Sequence, residues 1–162
     1  MADLNPKSQK IRESLESFGL EGRVLELPQT ARTAADAARA LGCQLGQIAK
    51  SIVFKTKIIG RPVLVIASGS NRIDEEKIAR VIGEGVEKAE ADFVLEKTGY
   101  VIGGVPPLGH REKIQTLIDE DLGQYEEIWA AAGTSHAVFK LTPSELTRMT
   151  QGETREVKVS GA

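Results

Sequence analysis

Gln47-Ile-Ala-Lys-Ser-Ile-Val-Phe-Lys-Thr-Lys57, followed after Ile58-Ile-Gly-Arg61 by Pro62-Val-Leu-Val-Ile-Ala67, decides the fold of this chain. The first run turns strongly strand-like at Ser51-Ile-Val-Phe54, and the second is nearly continuous apolar sequence, the pattern of a strand buried on both faces. A hairpin turn over residues 57–61 would pair them as the spine of a sheet. Side chains two apart on a strand share a face, so Lys50 falls in phase with Ile52 and Phe54. A lysine on an apolar face has two explanations. It can sit at the strand's mouth and snorkel to water, or its ammonium can hold a phosphate or ester oxygen in a cleft, where low dielectric strengthens the contact.

Outward from this spine, helices and strands alternate. Ile11, Leu15 and Phe18 recur at helical spacing over residues 8–18, with Gly19 as a stop. Residues 23–27 read as a short edge strand ending at Pro28. Thr33 and Asp36 have capping-box spacing before an alanine-rich helix to Leu41, and Gly42 supplies its C-terminal cap. Downstream, Ser70 or Asp74 can cap a helix through Ile82, and residues 86–89 suggest a short strand. Asp92 is placed to cap a helix that stops at Gly99. Residues 113–118 and 127–132 read as strands joined by an acidic turn, and residues 136–141 alternate as another strand. Thr142-Pro-Ser-Glu145 opens a last helix with proline at a favoured early position. The tail from Gly152 is polar apart from Val157 and Val159. No repeat or linker interrupts the pattern, so residues 1–162 are expected to form a single α/β domain whose mixed sheet is flanked by helices.

Composition excludes several classes. At 41% hydrophobic and 27% charged residues the chain has the balance of a globular protein, and no run approaches the roughly 20 apolar residues needed to span a bilayer. The first residues lack a basic region followed by an apolar run, so a cytoplasmic location is expected. One cysteine and two histidines exclude an internal disulfide and a zinc site of the usual spacing. A net charge of −2 confines any nucleic-acid contact to a local patch.

The segment Gly99-Tyr-Val-Ile-Gly-Gly-Val-Pro-Pro-Leu-Gly-His110 is a poor helix and a poor central strand. Pro106 and Pro107 fix the backbone, while Gly103 and Gly104 permit conformations and close approaches that a Cβ would forbid, so this loop can aim bare N–H groups at a ligand. No Gly-x-Ser-x-Gly elbow, phosphate-binding glycine-lysine loop, complete dinucleotide fingerprint or His-Glu-x-x-His is present. That leaves unconventional catalysis or simple binding. Strand alternation puts Ala137, Phe139 and Leu141 on the core face and His136 with Val138 on the other, where His136 could line a cleft. His110 reads as surface because a charged run follows it. Cys43 lies beyond a helix C-terminus, which disfavours a thiolate. Glu75-Glu76 and Glu126-Glu127 read as solvated faces, and Phe54 and Trp129 as core in preference to pocket wall.

Thr30-Ala-Arg-Thr33 with its alanine-rich helix, Gly46-Gln-Ile-Ala-Lys-Ser-Ile-Val-Phe-Lys55, the glycine and proline loop, and Glu127-Ile-Trp-Ala-Ala-Ala-Gly133 together resemble the YbaK/ProX family. These are freestanding aminoacyl-tRNA deacylases related to the editing insertion of prolyl-tRNA synthetases. The likeness spans about residues 25–150. It implies a strongly curved, barrel-like mixed sheet and hydrolysis in trans of a mischarged aminoacyl ester, most often on tRNA for proline. No cofactor is implied, and prolyl-tRNA synthetase is a candidate partner.

By the same resemblance Lys50 contacts the terminal nucleotide, and the loop through Gly103, Gly104 and Val105 to Pro106 and Pro107 supports the ester. Thr30, Ser51 and His136 would help bind the substrate. A histidine at position 136 points away from cysteine as the amino acid, leaving alanine, serine, threonine or 2-aminobutyrate. A Cys-tRNA(Pro) deacylase, a noncatalytic tRNA-end or synthetase-binding module, and a hydrolase of small free esters are the alternatives.

Overall fold

The structure, a computed structural model, describes residues 4–28, 31 and 33–160. The spine forms as expected. Strand β2 (Ile48–Thr56) pairs antiparallel with β3 (Pro62–Ser68), in register from Ala49 opposite Ser68 to Lys55 opposite Pro62. The intervening turn is closed by Thr56, whose N–H donates to the Arg61 carbonyl and whose hydroxyl accepts the Arg61 N–H. Every residue of β3 is buried, which accounts for its unbroken apolar run.

Beyond β3 the sheet continues with β5 (Gln115–Asp119) and β8 (Glu153–Arg155), each parallel to its neighbour. On the other side of β2 lie β6 (Ile128–Ala131), parallel to it, then β7 (Ala137–Leu141) and β1 (Val24–Glu26), both antiparallel. The strand path is open, ending on β1 and β8.

The outer edge of β2 is divided. Strand β6 covers Ile48 and Ala49, while β4 (Val86–Lys88) covers Phe54 to Thr56. The residues between have no strand partner on that edge among the described residues. This gap positions the site.

Among the described residues five α-helices cover the sheet. Helix α1 (Pro6–Ser17) buries Ile11 and Leu15 completely in the larger core, together with Leu64, Ile66, Ile128 and Phe139. Helix α3 (Glu75–Ile82), capped by Asp74, lays Ile78 on the opposite face against Phe54, Val63, Val65 and Leu117. Helix α2 (Ala34–Leu41) carries the reciprocal Thr33/Asp36 capping box and ends on Gly42 at φ 69°, a left-handed conformation that glycine adopts without strain. Helices α4 (Ala91–Thr98) and α5 (Pro143–Thr150) complete the set; Thr142 and Glu145 cap the latter reciprocally. Among the described residues no helix is long and apolar enough to cross a membrane.

Several local expectations change. Asp92 lies in the first turn of α4, and Glu90 holds the N-cap position. The acidic turn is a 3-10 segment (Glu120–Gln124) capped by Asp119, a carboxylate only 1% exposed that also accepts hydrogen bonds from the Ser68 N–H and the Asn71 amide. The polar tail supplies β8 and buries Val157 against the α3 side of the sheet. All three β8 residues are exposed, so no apolar alternation marks it.

Candidate active site

Where β2 loses its outer partner, a cavity of about 210 Å³ opens on the face of the sheet beneath α2. Register explains its walls. Ala49 pairs with Ala130, and both are buried in the core, so their neighbours Lys50 and Ala131 point to the opposite face, as do Trp129 and Val138. All four line the cavity. Helix α2 closes it from above with Ala34 and Ala37, three residues apart on one helical face; their short side chains keep the space open.

Lys50 is half-buried, and its ammonium makes neither a hydrogen bond nor an ion pair with any described residue. Burial pushes its pKa down and the neighbouring Lys88 charge adds to this, while Asp119 acts in the opposite direction. The protein thus holds a cation that it does not neutralise, beside a cavity. Such a group is disposed to receive a ligand's oxygen atoms.

The glycine and proline loop meets the same cavity. Gly103, at φ 91°, lines it together with the buried Val105, and neither N–H has a partner among the described residues. Gly104 serves differently. Its N–H donates to the Val101 carbonyl, and a Cβ there would stand 2.8 Å from the Thr134 Cα and 2.9 Å from its carbonyl carbon, so only glycine lets the loop lie against the 133–135 turn.

Pro106 and Pro107 are buried behind the loop and do not line the cavity. The Pro106 carbonyl lies 2.6 Å from His110 Nε2. A carbonyl can only accept, so the Nε2–H donates, and burial lowers the pKa of the ring, favouring that neutral form. His110 is therefore a partly buried strut of the loop and not a surface residue; the charged run that suggested exposure begins at Arg111.

Ser51 stands at the gap in the sheet. Ala89 N–H donates to the Val53 carbonyl on the outer edge, so Ser51, two residues earlier, presents its own N–H and C=O on that edge with no strand opposite. Its hydroxyl is buried and has no hydrogen-bond partner among the described residues. His136 lies at the rim, between the cavity-lining Ser135 and Ala137. Its Nδ1 is 3.1 Å from Ser135 Oγ, and its carbonyl accepts the Leu27 N–H at 2.6 Å. Thr30 lies outside the described residues.

Trp129 proves to be a cavity wall, because Ile128 and Ala130 take the core face of β6 and leave it on the other. Ala34, Ala37 and Ser135 also line the site, and sequence reasoning did not single them out.

The family profile of the aminoacyl-tRNA editing domain matches residues 28–149 of this chain, and every described wall of the cavity except Leu27 falls inside that span. The chain belongs to this family. Within the editing-domain family it is similar to a crystal structure described, provisionally, as a trans-editing enzyme for prolyl tRNA synthetase. The two superpose with a TM-score of 0.92 at 41% identity over 98% of this chain and 100% of the other. A curated relative from Escherichia coli, multifunctional Ser/Thr-tRNA deacylase ProXp-y, is 32% identical over 69% of this chain and 70% of its own length. EbsC of Enterococcus faecalis, provisionally named a Cys-tRNA(Pro)/Cys-tRNA(Cys) deacylase, is 29% identical over 77% of this chain and 76% of its own. Helix α1 and strand β8 of this editing domain lie outside the matched segment.

Proposed function

We propose that this protein is a trans-editing aminoacyl-tRNA deacylase that acts in the cytoplasm on a small amino acid esterified to the 3′ end of tRNA for proline, mischarged by prolyl-tRNA synthetase. The observation that carries this reading is the half-buried Lys50, unpaired among the described residues, on the same cavity as Gly103, Val105 and Ser51. The family membership and the deacylases among the relatives support it.

In this reading the aminoacyl side chain occupies the alanine-walled cavity beneath α2, and the ester lies at the gap in the sheet. Lys50 holds oxygen atoms of the terminal nucleotide. A water oxygen bonds to the ester carbon, negative charge develops on the carbonyl oxygen, and the N–H groups of Gly103 and Val105 receive it. Each well-placed donor of this kind contributes a factor of roughly 10² to 10³ in rate. The bond to the ribose oxygen then breaks, and the proton released by the water passes to that oxygen, assisted by the neighbouring ribose hydroxyl.

No side-chain nucleophile is needed. Among the described residues Ser51 Oγ has no base within hydrogen-bond reach to activate it, and burial raises the pKa of the Cys43 thiol. Gly104, Pro106 and Pro107 shape and stiffen the loop, while His136 borders the aminoacyl group.

A site of this kind answers a physical need. One methylene or hydroxyl changes the selectivity of a synthetase pocket by only about 1–3 kcal/mol, which leaves errors for a second site to clear. The short side chains of Ala34 and Ala37 suit alanine, serine, threonine or 2-aminobutyrate. The likeness to EbsC keeps cysteine as the second reading. Incubation with tRNA for proline carrying each of these five residues tests both. Release of a small non-cysteine residue is expected, preference for cysteine establishes the second reading, and binding of charged tRNA without faster ester loss refutes a catalytic role.

A further inference from the structure

A second cavity, of about 230 Å³, lies on the far side of Ser51 and Val105 from the first, and these two residues line both. It occupies the rest of the gap in the outer edge of β2, between β4 and the glycine loop. Ile52, Val94 and Ile102 give it an apolar wall, although Ile102 is 58% exposed and its neighbour Val101 is 50% exposed. Two consecutive β-branched residues in an otherwise glycine-rich loop thus leave half or more of their surface open to solvent. They offer a flat aliphatic shelf.

Lys88 stands at the rim of this cavity. It pairs with Phe54 across β4 and β2, which puts it on the face that carries Lys50 four residues earlier. It is exposed and forms no ion pair among the described residues. Its charge is also near enough to add to the lowering of the Lys50 pKa. A protein with net charge −2 thus keeps two unneutralised lysines on one face of a gap floored by apolar side chains. That combination complements a flat heterocycle joined to an anion.

We infer that this second cavity is a nucleotide subsite, in which the base of the terminal nucleoside lies on Ile52, Val94 and Ile102 and Lys88 binds its 5′-phosphate. The inference rests on the deacylase reading and deepens it: the acyl group lies on one side of Ser51 and Val105, the nucleoside on the other, and the ester between them. Phosphate recognition by an exposed ammonium is a point-charge contact, so arginine can replace lysine.

The test compares 2′(3′)-O-aminoacyl adenosine with the same ester carrying a 5′-phosphate, using wild type, Lys88→Glu and Lys88→Arg. For wild type the phosphate is expected to lower KM about tenfold with kcat changed less than about twofold, the size of one charge-assisted contact. Lys88→Glu should lose that preference, Lys88→Arg should keep it, and all three should cleave the unphosphorylated ester alike. Because Lys88 is exposed, loss of folding does not confound the comparison; equal melting temperatures verify it. A wild-type phosphate preference that survives in Lys88→Glu overturns the subsite while leaving the deacylase reading intact. Failure of wild type to cleave either ester, or aminoacyl-tRNA, overturns both.

Discussion

Replacing Lys50 with alanine should separate function from stability. The ammonium is half-buried and has no hydrogen bond or ion pair among the described residues, so its removal breaks no polar contact with them and relieves a desolvated charge. Lost packing of the aliphatic stem works in the other direction, and folding stability should change by less than about 0.5 kcal/mol. The effect on the reaction is larger. A hydrogen bond to a charged group contributes about 1.5–3 kcal/mol, which converts to a loss of about 10- to 150-fold in kcat/KM. Release of labelled alanine or serine from tRNA for proline, measured beside thermal melting of each variant, reads both quantities. Lys50→Arg keeps the charge but presents a planar fork in place of a compact ammonium, so partial recovery is expected. Undiminished release by Lys50→Ala refutes its role. A large fall in melting temperature would show that the lysine holds the fold and not a ligand.

Gly104→Ala should cost about 1–3 kcal/mol, because the new Cβ meets backbone atoms of Thr134 at 2.8 and 2.9 Å that cannot yield cheaply, and activity should fall as the loop moves; melting and ester release measured together verify this. Burial lowers the folded pKa of His110, so the folded state binds fewer protons than the unfolded one. The stability that His110 contributes is accordingly complete above the unfolded pKa of about 6.5 and is lost as pH falls toward the folded value. The stability gap between wild type and His110→Gln should therefore shrink from pH 7.5 to pH 5; a constant gap would contradict it. Ser51→Ala removes a buried hydroxyl that has no partner among the described residues, so the free protein should be as stable as wild type or more so while KM for the ester rises.

Much of the fold was legible because its elements carry local marks. The hairpin of β2 and β3 announces itself by apolar runs and a glycine turn, and the capping boxes at Thr33 and Thr142 delimit α2 and α5. Strand β8 was not legible: its exposed Glu-Thr-Arg owes its conformation to the edge of β5, a partner far away in sequence. The phase of Lys50 pointed to the cavity of the candidate site, and the alternation at His136 and Val138 pointed to its rim. The gap along β2 could not be read, since it arises from two strands, β4 and β6, that stop short of one another on the same edge. For the same reason Trp129 could not be told from a core residue, and His110 was hidden by a hydrogen bond to a carbonyl four residues earlier.

The claim that the alanine-walled cavity receives the aminoacyl side chain is tested most directly by filling it. Ala37→Leu places three extra carbons in that space from the cavity-facing side of a capped helix. Release of threonine from tRNA for proline should fall steeply while release of alanine falls less, with melting temperature unchanged. Equal rates for both amino acids, indistinguishable from wild type, would mean that the acyl group binds elsewhere.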